Sequence, residues 1–185
     1  MKLVDIQKSI PTILLDLKYA TTDNFSGVAV YKTKRAYARN TVVKALNNVQ
    51  GCLKEKGMGL KIYDAYRPYR ITKLFWKIIP SDKKDFVANP KKGSRHNRGC
   101  AVDVTLVNLK TGIELPMPTT FDSFKMEADA EFNQLPETVL YNRKILQDAM
   151  LANGFEILKS EWWHFDFKGW QNYDLMDIDF KKLSK

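Results

Sequence analysis

The chain contains two histidines, and each stands in a local pattern that limits what its fold must bring together. His96 lies in Ser94-Arg95-His96-Asn97-Arg98-Gly99-Cys100-Ala101-Val102-Asp103, so a carboxylate follows it by seven positions. His164 closes Glu161-Trp162-Trp163-His164, with a carboxylate three positions before it. A catalytic zinc site takes three protein ligands from imidazole nitrogen, carboxylate oxygen and thiolate, and leaves a fourth position to water. His96, Asp103 and His164 supply two imidazoles and one carboxylate, a set that leaves net positive charge on the metal to acidify the water. Glu161 remains as an unligated carboxylate, placed to take the water's proton and pass it to a leaving amine. The plainer alternative, two ordinary half-buried histidines with solvated acidic neighbours, leaves the two offsets unexplained.

Local patterning predicts an α+β protein. Thr41 to Lys56 carries Val42, Leu46, Val49 and Leu53 at helical spacing, with Thr41 as the expected N-cap and Gly57 just past the end. Gly59 to Ala65 reads as a strand, stopped before Pro68. A short helix is expected next, with Ile71, Leu74, Phe75 and Ile78 on one face and Pro80 ending it. Ser81 to Lys92 reads as a polar surface loop.

Cys100 to Val107 alternates as a strand, with Ala101, Asp103, Thr105 and Val107 sharing one face. A turn at Asn108 to Gly112 leads into Ile113-Glu114-Leu115, and Thr138 to Ala152 is a further helix closed by Asn153-Gly154. Phe155 to Leu158 and Trp162 to Phe167 resume strand character. On a strand, Glu161 and His164 would face opposite ways. Both can approach one metal only if Glu161 sits at a bend entering the strand. The expectation is one domain over residues 1–185, with a mainly antiparallel central sheet carrying the zinc site and helices flanking it.

Composition narrows the partners. The formal charge is +9, but the lysines are scattered and no basic run carries interleaved aromatics, so nucleic acid is not expected as a ligand. Cys52 and Cys100 are too few for a disulfide framework or a thiolate site. Met1 to Leu15 interrupts its apolar residues with Asp5, Lys8 and Pro11, and no stretch is long enough to span a bilayer. The expected compartment is therefore the cytoplasm, or the periplasm if a signal peptide has been removed. A monomer or weak homo-oligomer is expected.

With these residues assembled, the chain resembles the VanX-type D-alanyl-D-alanine dipeptidases, zinc peptidases within a wider group of D,D-peptidases and hedgehog-like metal-site proteins. The likeness runs through Asp16 to Gly27, Tyr63-Asp64-Ala65-Tyr66-Arg67-Pro68 and the Ser94 to Asp103 motif. It continues through Phe121-Asp122, Asn142-Arg143 and Gly154-Phe155 to Glu161-Trp162-Trp163-His164. The resemblance implies one zinc ion per chain on His96, Asp103 and His164, with Glu161 as general acid and base. It implies that Arg67 stabilises charge on the scissile carbonyl oxygen and that Asp122 receives the substrate's ammonium. Ser94 would lie near the substrate's carboxylate, and Tyr19 would line the pocket.

The substrate implied is the free dipeptide D-Ala-D-Ala. The rivals are a D,D-carboxypeptidase or peptidoglycan endopeptidase acting on longer peptides, and a hedgehog-like zinc-stabilised binding module without activity. The segment Ser123 to Asn133 lacks the Glu-Arg-Ser-His stretch associated with the family, which bears on pocket closure and substrate range.

Overall fold

A five-stranded sheet organises the chain, and a computed structural model describes residues 3–183 of it. Its strands are β2 (Leu14–Leu15), β4 (Met58–Asp64), β5 (Ala101–Asn108), β6 (Phe155–Ile157) and β7 (His164–Phe167), in the spatial order β2-β4-β5-β7-β6. β2 runs parallel to β4, and the other pairings are antiparallel. A separate ribbon pairs β1 (Leu3–Asp5) with β3 (Tyr37–Arg39), and the one-turn helix α1 (Ile6–Ser9) follows β1 directly. The α+β class and the mainly antiparallel sheet are as the sequence predicts.

Two long helices, α2 (Asn40–Lys54) and α4 (Glu137–Ala152), contribute to the main core against the sheet. Val42, Leu46, Val49 and Leu53 of α2 meet Leu60 and Ile62 of β4 and Val102, Val104 and Leu106 of β5, all buried. β5 is thus apolar on its helix-facing side, and the alternating set that includes Asp103 faces the other way. Gly57, at φ +70, closes the turn after α2. Thr41 is not the N-cap: the cap position is Arg39, two residues earlier, and no side chain caps the helix.

α3 (Tyr69–Ile78) departs further from expectation. Phe75 is buried, but Leu74 and Ile78 are exposed and Thr72 takes the second inward position. A polar demand sets this rotation, because Thr72 Oγ1 accepts a hydrogen bond from buried Asn97 Nδ2 at 2.8 Å. The expected polar loop at residues 81–92 holds a 3-10 turn over Ser81–Phe86.

Segment 168–183 ends in α5 (Phe180–Leu183) and straps the molecule together. Met176 N–H donates to Asn97 O at 2.9 Å, Tyr69 N–H donates to Met176 O at 3.0 Å, and Ile178 N–H donates to the Tyr66 hydroxyl at 2.7 Å. These bonds tie the turn carrying His96 to the turn carrying Arg67. No helix among the described residues is long and apolar enough to cross a membrane.

Candidate metal centre and adjoining cavity

Sheet register assembles the centre. Asp103 of β5 lies opposite His164 of β7, and on the other side opposite Asp64 of β4. Residues paired across adjacent strands share a face, so the three form a row across the sheet. Asp64 reaches that row through a register shift between Ile62 and Asp64, without which Tyr63 would stand there. His96 comes from a 3-10 turn over His96–Arg98 that ends at Gly99, whose φ of +68 favours glycine. As expected, Glu161 lies off the strand, in the turn before His164. The strand begins at His164, two residues later than the aromatic alternation suggests.

The hydrogen bonds fix which nitrogens are free. His96 Nδ1 lies 2.7 Å from the carbonyl oxygen of Ala65, which can only accept, so Nδ1 carries the proton and Nε2 keeps a lone pair. His164 Nε2 is 2.9 Å from Asp166 Oδ1, which leaves Nδ1 as that ring's lone pair. The two free nitrogens are 3.2 Å apart. Asp103 Oδ1 stands 3.4 Å from His96 Nε2 and 3.0 Å from His164 Nδ1. Ligands ~2.0–2.2 Å from a tetrahedral zinc are separated by roughly 3.3–3.5 Å, so the triangle fits that ion. Two lone pairs and a carboxylate oxygen converging on one buried point call for a cation.

Electrostatics agree with that geometry. Burial alone would raise Asp103, but the adjacent imidazoles, His96 foremost, outweigh it and hold the carboxylate well below its ordinary range. Glu161 stands 3.8 Å from His164 Nδ1 and keeps 20% of its side-chain surface open. Burial raises its carboxyl above the ordinary value, against the pull of His164 and with a further push from Asp103.

Arg67 Nε and Nη2 both donate to Asp64 Oδ2, at 3.0 and 2.8 Å, and Nη2 lies 4.0 Å from Asp103 Oδ2. Asp64 Oδ1 accepts from Tyr31 OH and Ala65 N–H, each at 2.9 Å. The guanidinium is therefore locked beside the centre, against the adjoining rings of Tyr19 and Phe75. Asp64, which anchors Arg67, and Asp166, which orients His164, are not among the site residues that the sequence patterns single out. An acid two residues past His164 on the same strand face was a usable signal.

A cavity of about 200 Å³ opens on this centre. Tyr19, Arg67, Ser94, His96, Asp103, Asp122, Glu161 and His164 all line it, so every site residue expected from sequence converges on one space. Phe25, Phe75, Phe86 and Phe124 form its apolar wall, so part of the supposed surface loop is cavity lining. Asp122 has φ +58, an uncommon backbone conformation outside glycine, and its Oδ1 accepts from Tyr19 OH at 3.0 Å. Its Oδ2 is buried without a hydrogen-bond partner. Burial, reinforced by the charge of Asp103, pushes its carboxyl well above the ordinary range.

Known proteins are similar to this chain. A family model described as Peptidase M15, D-ala-D-ala dipeptidase, matches residues 1–182. A protein of Escherichia coli (strain K12) named D-alanyl-D-alanine dipeptidase is 33% identical over 179 residues, covering 97% of this chain and 91% of its own length. One of the same name from Enterococcus faecium is 33% identical over 168 residues, covering 81% and 83%. Among solved structures, the LdcB LD-carboxypeptidase aligns at TM-score 0.48 and 23% identity, covering 74% of this chain and 61% of that one.

Proposed function

The chain belongs to the D-alanyl-D-alanine dipeptidase family of M15 peptidases, and on that premise we propose that it hydrolyses the free dipeptide D-Ala-D-Ala with one zinc ion per chain. The observation that carries this reading is an orphan carboxylate oxygen, Asp122 Oδ2, buried in the same small cavity as the three-ligand centre. A buried acceptor without a donor is costly, and an ammonium supplies the missing donor and charge.

His96 Nε2, Asp103 Oδ1 and His164 Nδ1 are the atoms that would hold the metal. When bound there, zinc supplies Lewis-acid polarisation of the scissile carbonyl and lowers the pKa of water beside it. Glu161 takes the proton of the attacking water on a carboxylate oxygen and delivers it to the leaving amine nitrogen as the C–N bond breaks. Its upward-pushed pKa suits a group that must hold that proton briefly near neutrality. Arg67, fixed by Asp64, presents positive charge to the oxygen that becomes anionic and needs no rearrangement to do so. Tyr19 fixes Asp122 through its hydroxyl, and Ser94 offers a hydroxyl to the substrate's carboxylate end.

A longer peptide would present an amide where Asp122 requires an ammonium, so the cavity measures length. The test compares turnover of D-Ala-D-Ala with that of a tripeptide ending in D-Ala-D-Ala, with and without a chelator. Dipeptide turnover that a chelator abolishes is expected. Preference for the tripeptide would replace this reading with a carboxypeptidase or endopeptidase, and zinc binding without turnover would leave a binding module.

A further inference from the structure

The metal site and Asp122 account for one end of a zwitterionic dipeptide and leave the other without a counter-charge. Burying a carboxylate away from water without a donor or cation is costly. Among the described residues lining the cavity, two carry a permanent positive charge, Arg67 and Arg95. Arg67 is committed to Asp64 through two hydrogen bonds to one oxygen. Arg95 is not. Its Nε is buried and makes no hydrogen bond, and it stands 3.4 Å from Asp166 Oδ2, an ion pair without hydrogen-bond geometry. Asp166 is itself engaged through its other oxygen by His164 Nε2.

The guanidinium carbon of Arg95 lies 4.6 Å from the Trp170 ring. That stacking fixes the plane of the planar fork and leaves its edge donors available for a carboxylate. The side chain is 40% exposed, so keeping its charge there costs little desolvation. Ser94 precedes it on the same turn. Ser94 Oγ accepts from His96 N–H at 3.2 Å, which leaves its own proton free to donate. One stretch of cavity wall thus offers a neutral donor and a charged donor in succession, while Asp122 contributes an unpartnered acceptor to the same cavity.

We propose that Arg95 is a specificity-determining residue whose guanidinium pairs with the C-terminal carboxylate of the substrate, so that Asp122 and Arg95 read its two ends. This assignment rests on the dipeptidase reading for the identity of the substrate. Arg95 immediately precedes His96, so the carboxylate is anchored at a spacing set by the turn that also delivers a metal ligand. The pair also selects against a chain continued or capped at its C-terminus, as Asp122 selects against one continued at its N-terminus.

The test measures kcat/KM on D-Ala-D-Ala and on its C-terminal amide for the metal-loaded wild type, Arg95→Ala and Arg95→Lys. Wild-type turnover of the free dipeptide examines the dipeptidase reading by itself, whereas the acid-to-amide ratio examines Arg95. The wild type should prefer the acid. Arg95→Ala should lose about 10- to 100-fold on the acid, the size of a charge-assisted hydrogen bond, mainly through KM and with little change on the amide. Arg95→Lys should recover part of the preference.

Arg95→Gln, which keeps a polar planar group without the charge, should behave as Arg95→Ala does and guards against an effect of lost packing. Equal losses on acid and amide, an unchanged ratio, or a wild type indifferent to the amide would each overturn the assignment and leave the dipeptidase reading standing. A wild type that turns over neither substrate would defeat the dipeptidase reading, and Arg95 with it.

Discussion

Replacing Asp122 with Asn separates binding from stability, because the two should move in opposite directions. Asn keeps the shape, tolerates the positive φ, and lets Tyr19 OH go on donating to Oδ1. What disappears is the negative charge on a carboxylate whose other oxygen has no partner. Losing one partner of a desolvated charge pair costs ~2–5 kcal/mol, or roughly 30-fold to several thousandfold in kcat/KM on the free dipeptide. An N-acetylated dipeptide never makes the pair, so its already poor turnover should change little.

Stability follows from the carboxyl's raised pKa, which burial causes first and Asp103 reinforces. An acid with a folded pKa above its unfolded value of ~3.9 is most favourable to the fold below that pH, and the benefit is lost as pH rises through the folded pKa. At neutral pH the wild-type carboxyl therefore works against folding, and Asn removes that opposition. Each 1 kcal/mol gained should raise Tm by roughly 2–4 °C for a domain of this size. The assay is thermal unfolding of chelator-treated protein at several pH values beside steady-state kinetics. A variant that loses activity and also melts earlier would refute the argument, because Asp122 would then be a structural residue.

Further expectations concern the centre itself. His96→Ala, Asp103→Ala and His164→Ala should each lose most of the ~1 zinc per chain, and full occupancy in all three by elemental analysis would remove the metal assignment. Without metal, burial opposes charge on His164, but Asp103 and Asp166 outweigh it and hold the imidazole protonated well above its ordinary pKa. Protons then compete with metal at Nδ1, so zinc affinity should weaken from about pH 8 to about pH 6 in competition with an indicator chelator; pH-independent binding would contradict this. Glu161→Gln should keep zinc and lose ~10²–10⁴ in turnover, and an active variant would make Glu161 a bystander. Asp64→Asn strands the Arg67 guanidinium in a buried position and should cost about 3–5 kcal/mol in urea unfolding with zinc content unchanged. An unmoved midpoint would show that Arg67 does not need it.

The candidate metal ligands were legible as a group because each half of the cluster is local: one turn into one strand carries His96 and Asp103, and one bend into another carries Glu161 and His164. Offsets of seven and three positions survive without knowledge of the tertiary fold. What sequence could not supply depends on register and rotation. Asp64 faces the site because of a shift between Ile62 and Asp64, and no residue type there announces it. The rotation of α3 answers to Asn97, a residue distant in sequence, so an apolar stripe at helical spacing pointed to the wrong face. Phe86 was hidden in a lysine-rich stretch whose composition says surface, although its ring packs 5.0 Å from Phe124 in the cavity wall.

These losses share a cause that bears on the chemistry. The row Asp64–Asp103–His164 crosses three strands, and each member takes its position from the pairing of the next. Two of the three are then fixed by partners outside the row: Asp64 by Tyr31, and His164 by Asp166. A slip of one residue in any pairing would turn an acid or imidazole away from the cavity and an apolar side chain into it. The apolar residues on the opposite face of β4 and β5, closed over by α2, therefore hold the catalytic register as well as the fold.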